Sequence, residues 1–295
     1  MNKIFQRVLV LTTLFCAQGR AVEESPDAIR EPEAASVAAG HFSSIGGSFG
    51  LEEYTRHFAP NEPNYFLAGW LSPQVKFQIS FRYMILNPTG SLVQKHAWMK
   101  GFNFGFSQTS WMNITTLDDS FFADSSYRPE LFYYFENFLP TASQPVQQLG
   151  LQGGIGHESN GFKQSDHRSL NIFFLRPLFT LGSQSKGLFL TVAPKFYYYF
   201  GPIALNPDIA NYRGYCDLRV TLGQRDGLQL AVLGRVGSHF DKGSLQLDLT
   251  YALTKIFDGN FDVSLDVQYF VGYGDTIQTY RDFSSMLRFG VALVR

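Results

Sequence analysis

From residue 64 to the end of the chain, apolar and polar side chains alternate with a period of two, not the 3.6 of a helix. In 261–271 (FDVSLDVQYFV), Phe261, Val263, Leu265 and Val267 share one parity, while Asp262, Ser264, Asp266 and Gln268 share the other. The same dyad runs through 244–250, where Leu245, Leu247 and Leu249 alternate with Gln246, Asp248 and Thr250. It recurs in 215–222 (Cys216, Leu218, Val220 and Leu222 against Tyr215, Asp217, Arg219 and Thr221) and in 75–82 (Val75, Phe77, Ile79 and Phe81 against Lys76, Gln78, Ser80 and Arg82). Each run reads as a strand with one apolar and one polar face. The pattern predicts twelve strands, near 64–71, 75–84, 101–112, 130–138, 148–159, 168–181, 188–200, 213–223, 226–237, 242–255, 259–273 and 282–294.

An even number of antiparallel strands closes a barrel with both chain ends on one side. Several runs reach about ten residues, the length a tilted strand needs to cross the hydrocarbon of a bilayer. The connectors near 113–129, 160–168, 201–212 and 273–281 are long and alternate with short ones near 182–187, 223–226 and 256–258. That asymmetry fits long outer loops and short periplasmic turns. The first two connectors, 72–74 and 85–100, run against it.

Alternation alone also fits an exported two-sheet sandwich; strand length, with charges confined to one parity, favours the membrane, and composition favours a barrel over a helical membrane protein. Aromatics make up 16% of the 295 residues and charged residues only 17%, below the roughly 25% of an average soluble domain. A net charge of −1 gives no reason to expect nucleic acid as a partner. No run of eighteen apolar residues occurs, which excludes a transmembrane helix and leaves a barrel as the route into a membrane. A non-enzymatic pore or adhesin is the competing barrel reading, since Asp217, Arg219, Asp248, Asp262 and Asp266 line the polar parity. Twelve strands, however, enclose a narrow lumen that such side chains can fill.

The N-terminus adds a compartment. Lys3 and Arg7 precede an apolar run from Val8 to Ala17 that is too short to span a bilayer. We read 1–21 as a cleaved signal peptide, 22–45 as a flexible acidic, Pro- and Ala-rich periplasmic segment, and 46–295 as the barrel. Cys216 is then the single cysteine of the mature chain, so no intrachain disulfide forms.

Candidate chemistry lies in the fifth strand. Leu149, Leu151, Gly153, Ile155, His157 and Ser159 share the apolar parity, which a barrel turns toward lipid. Pairing residue 157 with Asn171 of the next strand centres the hairpin on Gln164 and sets the two side chains side by side. Ser159, His157 and Asn171 are then a nucleophile, a base and a residue that orients the base. A neutral amide suits that place, because a carboxylate facing hydrocarbon is costly.

The run HESNG…RSLN resembles the signature of the outer-membrane phospholipase A family. NYFL (64–67), VKFQIS (75–80), SQTSW (107–111), YRPELF (127–132) and NPDIANYRGY (206–215) resemble that family's barrel segments in the same order. The resemblance implies a twelve-stranded outer-membrane barrel of a Gram-negative bacterium whose calcium-dependent homodimer hydrolyses phospholipid acyl esters. It makes Ser159 the nucleophile, His157 the general base, Asn171 the orienting residue and the Gly161 N–H the oxyanion donor. It also implies one calcium per active site at the dimer interface, held by the Phe162 carbonyl, the position of His167 and, from the partner, Asp119. The resemblance leads to a hydroxyl at the 167 position, and His167 departs from it; the alternatives are Asp166 beside it, or Ser165 or Ser169 by a one-residue shift.

Overall fold

The computed structural model describes residues 57–114, 121–138, 146–163, 166–182, 187–201, 204–254 and 256–295. The expected signal peptide (1–21) and periplasmic lead-in (22–45) lie outside the described residues. The strands are β1 (Phe58–Ala59), β2 (Asn64–Gly69), β3 (Val75–Met84), β4 (Phe102–Met112), β5 (Phe122–Phe135), β6 (Val146–Ser159) and β7 (Ser169–Gly182). They continue with β8 (Leu188–Phe200), β9 (Cys216–Gln224), β10 (Leu228–Val236), β11 (Gly243–Ala252), β12 (Ser264–Tyr273) and β13 (Phe283–Val294). Each strand from β2 onward pairs antiparallel with the next, and β13 returns to β2 through Phe289↔Ala68 and Val291↔Phe66. Twelve strands thus close an all-β barrel, as expected from the alternation. β1 adds only the pairs Phe58↔Tyr83 and Ala59↔Arg82 to β3.

Burial across the wall is inverted relative to a water-soluble fold. In β3, Lys76, Gln78 and Ser80 are buried, while Ile79 between them is 57% exposed. Gln268 and Arg288 are among the most enclosed large side chains, at 0% and 1%. Phe66, Leu131, Phe173, Leu175, Leu218, Leu249, Leu265 and Leu287 face outward. Such a band needs an apolar surround, and the closed hydrogen-bond ladder leaves no strand edge unpaired within it.

The polar interior is cross-braced. Lys76 pairs with Asp275 (3.0 Å), Lys195 with Glu130 (2.6 Å), Arg235 with Asp217 (2.9 Å) and Arg213 with Glu158 (3.0 Å). Residues 60–63, between β1 and β2, carry Glu62 to Arg176 (2.6 Å) and Arg219 (3.6 Å). Charges enclosed this way survive only when paired. A cavity of about 940 Å³ remains among these bridges.

The structure moves two boundaries. β5 starts at Phe122 and not near 130, which shortens the preceding connector to 113–121. Asp124, Ser125 and Ser126 read as loop because polar residues occupy both parities. The Ser125 and Ser126 hydroxyls instead meet partners on the neighbouring strands, Ser110 at 2.9 Å and Glu158 at 2.8 Å, and the Asp124 carboxylate accepts from the Gln278 N–H at 3.1 Å. β12 starts at Ser264, so the alternation of Phe261 and Val263 runs past the end of the ladder into a longer 253–263 connector. The sequence pattern also missed two short helices, α1 (Ser91–Lys95) and α2 (Ile209–Arg213). α2 packs Ile209 against Leu170, Ile277 and Tyr280, joining three elements at the end where β6 and β7 meet.

Candidate active site

β6 and β7 form the hairpin expected from the sequence, with the pairs His157↔Asn171 and Ser159↔Ser169. β6 carries glycine at 150, 153, 154 and 156. At Gly154 the need is steric: a Cβ there would overlap the Leu131 carbonyl of β5. The neighbouring strand therefore lies close behind the segment that presents His157.

His157 Nδ1 is 2.8 Å from Asn171 Oδ1. A carboxamide oxygen only accepts, so the ring carries its proton on Nδ1 and leaves the Nε2 lone pair free. Ser159 shares the outward face two residues further on, roughly 6–7 Å along the strand. Among the described residues no hydrogen bond joins the Ser159 hydroxyl to the imidazole. Such contacts commonly tighten only when substrate is bound. Ile155, Leu131 and Phe173 form an exposed apolar apron on the same face, and Phe173 stacks on Phe200 at 4.2 Å between ring centroids.

The opposite face of β6 is pinned from within. Glu158 accepts from Ser126 Oγ (2.8 Å) and from an Arg213 guanidinium nitrogen (3.0 Å). Gly161 has φ +72°, a left-handed conformation that favours glycine, and a Cβ there would come within 3.1 Å of the Tyr127 ring. Asn160, which carried no role in the sequence reading, is buried behind the turn, and its amide bonds to Asp166, Gln278, Phe162 and Arg168. The local signal was there in part: Asn before Gly is a turn pair whose side chain bonds to the backbone ahead. The Gln278 contact had no local signal.

Two members of the expected calcium set, Phe162 and His167, lie among the described residues. Asp119 lies outside the described residues. Phe162 sits on the turn just beyond Gly161 and offers a carbonyl oxygen. His167 offers an imidazole, a poor ligand for a cation that takes oxygen donors, and its carbonyl accepts from its neighbour Arg168 at 2.9 Å. Among the described residues no group of three His, Cys, Asp or Glu stands together as a metal cluster. Among the described residues, the imidazole at position 167 is a poor match for a calcium ion.

The sequence profile of phospholipase A1 matches residues 53–293. The chain belongs to the phospholipase A1 family. The phospholipase A1 of Escherichia coli K12 is 27% identical over 225 residues, covering 75% of this chain and 69% of that one. The phospholipase A1 of Klebsiella pneumoniae is 26% identical over 254 residues, 80% of this chain and 81% of its own. In fold, this phospholipase is similar to the outer membrane phospholipase A of Escherichia coli, with a TM-score of 0.65 at 23% identity over 80% of this chain and 98% of that one. It is equally similar to the calcium-bound dimer of the Salmonella typhi outer membrane phospholipase (TM-score 0.64, 23% identity, 80% and 92% covered). As a member of that family it is a phospholipase of the outer membrane, and the inverted barrel wall agrees.

Proposed function

We propose that this phospholipase cleaves acyl esters of phospholipids and lysophospholipids at Ser159, His157 and Asn171 on its lipid-facing wall. The observation that carries the reading is the 2.8 Å contact of His157 Nδ1 with Asn171 Oδ1, beside Ser159 and above an exposed apolar apron. Substrate enters sideways from the bilayer, with its acyl chain laid along Ile155, Leu131 and Phe173. Ser159 Oγ attacks the ester carbonyl carbon while His157 Nε2 takes the hydroxyl proton. The carbonyl oxygen gains the negative charge and accepts from the Gly161 N–H, a donor set in place before reaction. Collapse breaks the ester bond, and the imidazolium returns its proton to the departing alcohol. Water then attacks the acyl-Ser159 ester by the same exchange, releasing the fatty acid and restoring the enzyme.

The active form we propose is a homodimer in which a second copy covers the outward apolar face around the site. No step is routed through calcium, because His167 stands where a hydroxyl ligand was expected. Hydrolysis of phospholipid in detergent micelles tests the site. Ser159→Ala is expected to lose activity while keeping the heat-resistant mobility of a folded barrel, and parent-like turnover in that variant defeats the proposal.

A further inference from the structure

The turn that carries Gly161 is tied to a connector 118 residues away in sequence. Asn160 is 2% exposed, and all four hydrogen-bonding positions of its amide are used. Nδ2 donates to the Asp166 carbonyl (2.8 Å) and to Gln278 Oε1 (2.7 Å). Oδ1 accepts from the Phe162 N–H (3.3 Å) and the Arg168 N–H (2.9 Å). The main-chain N–H of Asn160 also donates to the Arg168 carbonyl (3.1 Å), closing the base of the loop. Gly161 lies between two residues, Asn160 and Phe162, that are joined through the Asn160 oxygen.

An asparagine amide can turn end for end, exchanging its oxygen for its nitrogen. Two acceptors on one side, the Asp166 carbonyl and Gln278 Oε1, select the orientation that faces Oδ1 toward the two backbone N–H groups. Gln278 is itself held firmly. Its main-chain N–H donates to Asp124 Oδ2 of β5 (3.1 Å). Its neighbour Ile277 is sealed into the cluster with Leu170, Ile209 and Tyr280. The main chain at Gln278 is thus placed by β5, β7 and α2, not by the loop its side chain meets.

We infer that Gln278 is a positioning residue for the oxyanion donor: it orients the Asn160 amide, and that amide sets the direction of the Gly161 N–H. The inference rests on the Ser159 site proposed above. Losing the Gln278 oxygen leaves a buried N–H unpaired and frees the amide to turn, which misaims the donor without touching the substrate's binding surface.

The test uses the full chain in mixed micelles, with kcat and KM measured for Gln278→Met and Gln278→Glu. Removing an oxyanion donor outright costs about a hundredfold or more, so misaiming one is expected to lower kcat about tenfold in Gln278→Met with KM within about twofold. Gln278→Glu keeps an acceptor oxygen at that place and is expected to recover to within about threefold of the parent. Labelling of Ser159 by a phosphonate ester, whose phosphoryl oxygen occupies the same oxyanion position, is expected to slow in step with kcat. Asn160→Asp keeps the acceptor bonds but loses both donors; it supplies an independent variant with the same expected loss should Gln278→Met not fold. Parent-like kcat in Gln278→Met, or equal losses in the Met and Glu variants, overturns the inference. An inactive Ser159→Ala beside an unaffected Gln278→Met overturns this inference alone, whereas an active Ser159→Ala overturns the site itself.

Discussion

Asn171→Ala separates an orienting amide from an orienting carboxylate. The Nδ1–H of His157 donates to Asn171 Oδ1 at 2.8 Å. In the resting enzyme both partners are neutral, and such a bond is worth about 1 kcal/mol net. In the transition state the ring carries a positive charge, and a bond to a charged group is worth about 1.5–3 kcal/mol. The difference, about 0.5–2 kcal/mol, is the part that acts on the rate and amounts to roughly 2- to 30-fold in kcat. Losing control of the tautomer adds a further factor of about two to three, so the expected fall is about 5- to 100-fold. A buried carboxylate in the same role is worth about 10⁴-fold, because it holds the tautomer and also stabilises the imidazolium. The assay is initial-rate hydrolysis of phospholipid in mixed micelles, with kcat and KM separated and folding checked by heat-dependent gel mobility. A kcat within twofold of the parent shows that Asn171 does not orient the base, and a loss near 10⁴ shows that the bond arithmetic is wrong.

Four further outcomes follow from the same structure. Gly161→Ala forces a side chain onto a φ of +72° and toward the Tyr127 ring; kcat is expected to fall about a hundredfold with the barrel still folded, as a titration of active Ser159 would show. Val220 sits on the outward parity between Val192 and Val232, so Val220→Arg is expected to destabilise the barrel by about 2–4 kcal/mol in denaturant titrations in lipid, and Thr221→Arg on the inward parity by much less. The Arg281 guanidinium and the Tyr280 hydroxyl hold the Asp208 carboxyl below its ordinary range. A depressed carboxyl contributes stability above its unfolded pKa and loses it as pH falls through the folded value, so hydrogen exchange in 204–215 and 274–282 should accelerate only on the acid side of the usual carboxylate range. Chelation is expected to leave the parent's rate within a fewfold, and His167→Ser, which restores an oxygen donor, to make activity more sensitive to chelator; a parent abolished by chelator refutes the poor calcium fit drawn from His167.

How far the sequence reads through to the structure depends on how local the cause is. The twelve strands were legible because alternation is written residue by residue: Lys76, Gln78 and Ser80 against Phe77, Ile79 and Phe81 already state which face meets lipid. The pairing of His157 with Asn171 was legible for a related reason, since one hairpin's register follows from where its polar loop is centred. The start of β5 was not, because Asp124, Ser125 and Ser126 are polar on both parities and only their partners on other strands make them wall. The calcium end of the loop offered only a mismatch, an imidazole at position 167 where oxygen chemistry was expected. Gln278 lies furthest beyond reach. Nothing in its neighbours marks it, and its role exists only because barrel closure brings the β12–β13 connector against the β6–β7 turn. The proposed nucleophile, base and orienting amide lie on one hairpin and can be read from one stretch of sequence. The aim of the oxyanion donor is held by side chains from β5, α2 and the last hairpin, so it exists only once the barrel has closed.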